Sequence, residues 1–184
     1  MNKLIKDALF GAAGGFVGTV VIGAVMKAVS KLQSEEDKQL EQRLIPEEPP
    51  HKLARVFIED GEDGLGIQIT DDTTSTLGRV VQFGYGTSWG AAYGILRHRF
   101  PGIARAAGLP FGVGLTLLGW GALLPLFKLS PAPHKLPLSA HARGLVSHYA
   151  YAATVEGVCE LCEAIDRAAT EKPLRTKPEL REVA

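Results

Sequence analysis

Hydrophobic and polar positions divide this 184-residue chain into four stretches almost free of charge and the charged segments that separate them. Of its 20 Lys and Arg and 20 Asp and Glu residues, only three glutamates fall inside those four stretches. Each stretch is close to the roughly 20 residues that a helix needs to cross a bilayer. The stretches are residues 8–26, 80–96, 106–127 and 144–165. We therefore predict an all-α fold, a single integral membrane domain built as a bundle of four transmembrane helices.

The first of these stretches runs into a polar segment without a signal that would end a helix. Residues 27–44 contain no Gly or Pro, and apolar residues recur there at roughly helical spacing. The pattern predicts one helix from about Leu4 to about Leu44, which prolines at 46, 49 and 50 bring to an end. Such a helix is roughly 60 Å long, so its second half is expected to extend into water.

The remaining polar segments are predicted to lie outside the bilayer. Residues 27–79 form an extramembrane helix and loop, with a short helix from Pro50 to Ile58 and an acidic, Gly-rich loop from Asp60 to Asp72. The spacing of acids in that loop does not fit a calcium-binding EF-hand, which favours a solvated loop. Residues 167–184 are predicted to be a flexible charged tail.

Composition narrows the functions that need to be considered. A formal net charge of zero leaves no basic surface for a nucleic-acid partner. The two cysteines, Cys159 and Cys162, cannot form a disulfide framework, and without a second pair they make only half a zinc site. The chain also lacks a phosphate-binding loop and a nucleophile elbow. We expect no cofactor, no metal and no catalytic residue.

The distribution of basic residues gives a weak indication of orientation. Four spans place both termini and the second connection on one face of the membrane, and the 20 basic residues divide equally between the two faces. The compact group Arg97, Arg99 and Arg105 lies in a short connection, where the positive-inside rule weighs most. Both termini are therefore predicted to be cytoplasmic.

Glycines at four-residue spacing mark three of the predicted spans. In lipid, small residues allow the backbones of two helices to approach closely, which is a principal means of helix association. We expect these glycines to pack the bundle internally, with self-association through one glycine face, as in a glycine zipper, as the alternative. The glycines are Gly11, Gly14, Gly15, Gly18, Gly86, Gly90, Gly94, Gly108 and Gly112.

The fourth span carries polar groups on one side. At 100° per residue, an arc of about 80° contains His141, His148, Glu156, Cys159, Glu163 and Asp166. Ionisable groups inside a membrane usually mark a functional site. One hypothesis is a proton or cation relay in which Glu156 exchanges the ion and His148 changes charge near neutral pH. These two residues lie roughly 12 Å apart along the helix axis, so water or a side chain of the second span must join them.

Two neighbouring side chains belong to the same hypothesis. Gln82 on the second span is a candidate for the connecting group, and Tyr149 borders the polar arc. The alternative is that Glu156 forms a hydrogen bond with Gln82, with Ser88 or with a tyrosine hydroxyl, and holds the helices together.

One part of the chain resembles a known family. Residues 127–139, a Pro-rich exit from the third span, are followed by His148 and then Glu156, and this arrangement resembles the YagU-like family of small bacterial inner-membrane proteins. The sequence at 99–101, which ends the second span, also fits, so that the resemblance covers about Val80 to Ile165. It implies a multi-pass protein of the bacterial cytoplasmic membrane, from a family that has no established molecular activity and is linked to survival in acid.

Two functions of different classes follow from these observations. The first is a structural or interaction protein in the lipid bilayer, which contacts a protein partner or a second copy through its glycine faces or residues 27–58. The second is a small transporter or proton- or cation-conducting protein that uses His148 and Glu156. An intramembrane enzyme ranks third, because no nucleophile and base stand at a recognisable spacing.

Overall fold

The chain folds into helices throughout the part that the structure describes. A computed structural model describes residues 2–55 and 71–171, and it contains no β-strand in those ranges. The principal helices are α1 (Lys3–Ser30), α2 (Glu35–Leu44), α3 (Asp71–Arg97), α4 (Arg105–Leu118) and α5 (Leu138–Thr170). Shorter helical segments occupy residues 49–55, Pro101–Ala104, Gly119–Leu123, Leu124–Leu126 and Pro133–Lys135. The prediction of an all-α fold is confirmed.

Each charge-poor stretch of the sequence falls within a helical part of the structure, except for Phe127, which follows the last helical turn of the third stretch. Two of the helical segments, Lys3–Ser30 and Pro101–Leu126, are both long enough and apolar enough to cross a membrane. The second combines α4 with the short segments on either side of it. Helices α3 and α5 are also long, but their mean hydropathy is lower because polar residues are spread along them.

The single helix predicted from Leu4 to Leu44 is wrong. Helix α1 ends at Ser30, where the amide of Lys31 closes the last turn on Ala28 and Val29, and α2 begins at Glu35. The side chain of Ser34 caps α2 by accepting a hydrogen bond from the amide of Asp37 at 3.1 Å. Three acidic residues in the first turn of α2 are favourably placed near the positive end of its dipole. These capping interactions separate two helices where the sequence has neither Gly nor Pro.

Parts of the predicted connections and tail lie outside the described residues. The helix expected from Pro50 to Ile58 is seen over residues 49–55. The loop from Asp60 to Asp72 lies outside the described residues except for its last two positions, which already belong to α3. Of the predicted tail at 167–184, the first residues continue α5 to Thr170, and the residues from 172 onward are outside the described part.

Helix α1 lies between α3 and α5 and runs antiparallel to both. Its early residue Lys6 meets Asp166, near the end of α5, whereas Gly18 meets Tyr151, earlier in α5. Along α3 the order is likewise reversed, with Gly94 against Asp7. Helix α4 packs on the other side of α5, again antiparallel. A core of aromatic and small apolar side chains fills the space between these helices and consists of Tyr93, Leu115, Tyr151, Val155 and Cys159.

The start of α4 departs from regular helix. Ala106, Ala107 and Gly108 have positive φ values of 48°, 52° and 78°, in the left-handed region that only glycine adopts without strain. The right-handed helix therefore begins after Gly108, and Pro110 falls in its first turn, where the missing amide proton leaves no bond unmade. The hydroxyl of Tyr149 donates to the carbonyl of Ala106 at 3.2 Å and so connects this turn to α5.

Candidate functional site

Glycines bring the backbones of α1 and α3 into direct contact. A methyl group added at Gly15 would lie 2.5 Å from the carbonyl oxygen of Gly86 and 3.0 Å from the Cα of Gly90. A methyl group at Gly90 would lie 2.5 Å from the Cα of Gly15. A methyl group at Gly11 would lie 2.8 Å from the amide nitrogen of Gly94 and closer still to the carbonyl oxygen of Gly90. Because carbon and oxygen atoms in contact are normally well over 3 Å apart, no side chain fits at these positions. The two helices can pack in this way only with glycine on both sides.

The other glycines singled out in the sequence face α5. Gly14 and Gly18 of α1 lie against Val155 and Tyr151, with the added methyl at Gly14 only 3.0 Å from the Cα of Val155. In α4, Gly108 lies against Ala152, and Gly112 packs on the backbone of α5 at residues 148–149. The glycine faces are therefore occupied by contacts between helices of the same chain.

Glu156, the deepest carboxylate in the sequence pattern, is held by two side chains of α3. Its side chain receives two hydrogen bonds from Arg97, Nε to Oε2 at 2.9 Å and Nη2 to Oε1 at 2.5 Å. The hydroxyl of Tyr93 donates to Oε2 at 2.6 Å. Glu156 is 6% exposed, and the Arg97 side chain is 9% exposed. A two-point contact of this kind is the strongest common pairing of arginine with a carboxylate.

Arg97 also extends this contact toward the end of the bundle. Its Nη1 donates to Glu163 at 2.5 Å, and the Nε2 of His98 lies 2.9 Å from the same oxygen of Glu163. One turn further, Lys6 of α1 pairs with Asp166 at 2.8 Å. The carboxylates on this side of α5 are thus each matched by a basic group from α1 or α3. We call Tyr93, Arg97, Glu156 and Glu163 the Arg97 cluster.

The four residues of the relay hypothesis do not bond to one another; the hydrogen bonds seen for His148, Tyr149 and Glu156 go to separate groups. The Nδ1 of His148 lies 2.8 Å from the carbonyl oxygen of Gly144, one turn earlier on α5. Tyr149 bonds to Ala106, and Gln82 is half-buried on α3. The hydrogen bonds of Glu156 go to Tyr93 and Arg97 rather than to any of these three residues.

The structure therefore identifies the groups on another helix to which Glu156 is hydrogen-bonded. Of the three kinds of group considered, it is a tyrosine hydroxyl, that of Tyr93, that reaches Glu156. Ser88 instead donates to the carbonyl of Gly84 at 2.8 Å within its own helix. The more important partner is Arg97, which the sequence pattern presents only as one of the basic residues that indicate membrane topology. The signal that could have identified it is a pair of acids seven residues apart, and hence on one face of α5: the buried Glu156 and the partly exposed Glu163.

A second arginine forms a contact at the opposite end of α5. Arg143 donates to Glu41 of α2 and, through Nη1, to the amide oxygen of Gln33 at 2.8 Å. Ser139, one turn before it, donates to Asp37 at 2.6 Å. These bonds attach α2 to the start of α5, so that the segment after α1 folds back onto the bundle. We call Gln33, Glu41 and Arg143 the Arg143 cluster.

The two cysteines have no partner within residues 2–55 and 71–171 that would suggest chemistry. Cys159 is buried in the core and Cys162 is partly exposed, and both are free thiols. Among the described residues, no group of three or more His, Cys, Asp or Glu side chains is arranged to hold a metal ion.

The fold and its contacts define a class of protein. The described part of the chain is all-helical, and two of its helical segments are long and apolar enough to cross a membrane. Its buried charges form ion pairs between helices. The sequence matches the family described as Protein of unknown function (DUF1440) over residues 23–157, more than half of the chain. The chain belongs to this family, to which YagU-like proteins also belong. No curated protein and no solved structure matches the chain.

Proposed function

We propose that this protein spans the bacterial cytoplasmic membrane four times, through α1, α3, α4 with its flanking turns, and α5. The observation that carries the proposal is how little of the two most apolar helical segments is covered by the rest of the chain. Within the most apolar windows of Lys3–Ser30 and Pro101–Leu126, only 28% and 11% of the residues are buried. A core helix of a water-soluble domain buries its apolar side, whereas a membrane helix leaves it facing lipid.

The packing supports membrane crossing by α3 and α5 as well. Both helices lie against α1 along much of its apolar length, from Asp7 to Thr19 on the α3 side and from Lys6 to Gly18 on the α5 side. If α1 crosses the bilayer, helices that follow it so closely cross with it. Part of their lower hydropathy comes from polar groups that turn inward and bond between the two helices. The hydroxyl of Tyr93 donates to Glu156, and that of Tyr151 donates to the carbonyl oxygen of Gly86.

Apolar side chains on the outside of the bundle agree with this arrangement. Large hydrophobic residues with half or more of their surface exposed occur on each of the four helical segments. They include Phe16 and Val20 on α1, Val80 and Tyr85 on α3, Leu117 and Leu126 in the third segment, and Leu161 and Ile165 on α5. Exposed apolar residues distributed around a bundle in this way form a lipid-facing surface.

Within the membrane we propose a structural or interaction role rather than an enzymatic one. The buried carboxylate of Glu156 is neutralised by Arg97, and this pairing leaves it poorly suited to bind and release ions. Its geometry instead supports a lock between α3 and α5. The partner surface that we propose is the outward side of α2, opposite the Arg143 cluster, where Gln39 and Leu40 are exposed. We further propose that the chain is a YagU-like member of its family and that both termini are cytoplasmic.

Membrane integration can be tested by cell fractionation. The full chain is expected in the membrane pellet after extraction at high pH, which removes peripheral proteins, and in the soluble fraction only after detergent is added. Release at high pH without detergent would contradict the proposal. A periplasmic and a cytoplasmic marker protein, measured in the same fractions, control for incomplete lysis.

The interaction surface can be tested by photocrosslinking in cells. A photoreactive residue at Gln39, on the exposed side of α2, is expected to form a discrete crosslinked product. The same residue at Asp37, which faces Ser139 within the chain, serves as the matched control. Equal products from both positions, or none from Gln39, would argue against α2 as a partner surface.

A further inference from the structure

A cavity of about 360 Å³ opens at the end of the bundle where α1 begins and α3 and α5 end. Basic groups from two helices line it, namely Lys3 and Lys6 from α1 and Arg167 from the last turn of α5. Asp7, Glu163 and Asp166 contribute carboxylates, His98 an imidazole and Phe10 an apolar wall. The cavity therefore combines charged groups at its mouth with an aromatic side chain.

The carboxylates in this cavity are already paired. The carboxylate of Asp7 lies 2.8 Å from the Nζ of Lys3, and that of Asp166 lies 2.8 Å from the Nζ of Lys6. The carboxylate of Glu163 contacts the side chains of Arg97 and His98. Arg167 lines the same cavity without an ion-pair partner in the described part of the chain. Lys3 remains 71% exposed and retains free N–H groups, whereas Asp7 is 11% exposed. The accessible, unsatisfied donors at the mouth of the cavity are therefore cationic.

The surroundings place these donors at the edge of an apolar belt. Four apolar side chains are exposed at the same level of the bundle, on the sides of α1 and α5 that turn away from the cavity: Ile5, Leu9, Leu161 and Ile165. Basic side chains at the border between an apolar surface and water are the usual arrangement for binding the phosphate of an anionic lipid.

We propose that this cavity binds the phosphate of an anionic membrane lipid headgroup, with Lys3 and Arg167 as its cationic ligands and the acyl chains along α1 and α5. The proposal rests on the proposed function, since it requires this end of the bundle to lie at the membrane surface. It makes the lipid a structural partner that bridges the first and last helices. Lys6 stays paired with Asp166 beneath it.

The test uses the full chain reconstituted in phosphatidylcholine vesicles that contain a minor fraction of phosphatidylglycerol. After mild detergent extraction, the lipid that remains with the protein is measured by native mass spectrometry. Retained lipid is expected to be enriched in phosphatidylglycerol, and Lys3→Gln with Arg167→Gln is expected to lower the enrichment by about fivefold for each residue removed. The control is Arg99→Gln with Arg105→Gln, which removes two exposed charges from the same end outside the cavity.

Equal loss of enrichment in both double variants would overturn the proposal, because it would indicate general attraction of basic residues to anionic lipid. Absence of enrichment in the wild type would overturn the proposal that the cavity binds lipid. If inorganic phosphate then raises the thermal stability of the wild type but not of the Lys3/Arg167 variant, the cavity binds the phosphate of a soluble ligand instead. Fractionation keeps the two proposals separate, since a protein that resists high-pH extraction but shows no lipid preference refutes only the lipid site.

Discussion

Arg97 and Arg143 stand at opposite ends of α5, and each of them donates hydrogen bonds to a carboxylate while its side chain is almost buried. The partners of Arg97 are Glu156 and Glu163, so that its contacts join two long helices of the bundle. Those of Arg143 are Gln33 and Glu41, which belong to the short segment after α1. Similar chemistry therefore connects two kinds of element: helices that contribute to the buried core, and a short helix with no fully buried residue.

The loss of stability on breaking each contact depends on whether the helices that it joins can move apart. Glu156 is 6% exposed and bonds to the core residue Tyr93, so water can solvate its carboxylate fully only if α3 and α5 separate. Helix α2 has no fully buried residue, so it can leave α5 and let water solvate Arg143. The Arg97 cluster is expected to determine the stability of the bundle, and the Arg143 cluster only the position of α2.

The largest effect is expected from Arg97→Ala. This change leaves the carboxylate of Glu156 buried without a countercharge, and breaking a buried pair in this way costs about 3–5 kcal/mol. Denaturant unfolding of the purified protein in detergent micelles measures the loss. The control is Arg97→Met combined with Glu156→Leu, which removes both charges and is expected to restore most of the stability. If the single and double variants are equally unstable, the ion pair is not the cause.

A smaller loss is expected from Gly90→Ala, because the new methyl group meets the backbone of α1 at Gly11 and Gly15. Overpacking of this kind typically costs about 1–3 kcal/mol. The matched control on the same helix is Gly84→Ala, where the added methyl has no neighbour within 4 Å. Replacing glycine by alanine in an open helical position is expected to stabilise by about 0.5–1 kcal/mol. Opposite signs for the two variants in one unfolding assay support the packing of α1 against α3, and equal signs contradict it.

Glu41→Gln is expected to affect α2 and leave the bundle nearly unchanged. The charge-assisted bond to Arg143 is weakened, which limits the change in unfolding free energy to about 1–2 kcal/mol at most. Hydrogen exchange measured by mass spectrometry is expected to rise in residues 35–44 and to stay constant in α3. Faster exchange throughout α3 and α5 would show that the Arg143 cluster also supports the bundle, contrary to the comparison drawn above.

The smallest effect is expected from His148→Ala on the proton flux through the protein. Since Glu156 is paired with Arg97 and His148 bonds to Gly144, proton flux into liposomes that contain the protein is expected to stay at the background level. His148→Ala is expected to leave that level unchanged. A flux that exceeds that of empty liposomes and falls in this variant would favour the relay hypothesis over a structural role.

Much of the architecture could be predicted from the sequence, because it is determined by local patterns. The charge-poor stretches identify the long helices, and the spacing of Gly11 with Gly15 and of Gly86 with Gly90 identifies faces that allow close contact. Spacing does not say which helix a glycine face meets. That choice depends on the register between α1 and α3, which is set by contacts between residues about seventy or more positions apart in the sequence.

Two features were not predicted from the sequence, the break between α1 and α2 and the role of Arg97, and each has a specific cause. The interruption between α1 and α2 depends on a serine cap at Ser34, a weak signal within a segment that otherwise favours helix. Arg97 lies next to His98 and Arg99, where basic residues are expected at the end of a membrane span. Nothing in that local pattern distinguishes an arginine that turns into the bundle from one that turns to water. Only its distant partners, Glu156 and Glu163, make the distinction.

The central claim, that the chain crosses the membrane as a bundle with α3 beside α1, is tested most directly by cysteine accessibility in intact cells. With Cys159→Ala and Cys162→Ala as background, single cysteines are placed at Ser34, after α1, and at Arg99, after α3. A four-span bundle with cytoplasmic termini predicts that a membrane-impermeant maleimide labels the cysteine at 34 from outside and reaches the one at 99 only after lysis. Labelling of both positions from the same side would mean that α3 does not cross, and would contradict the account.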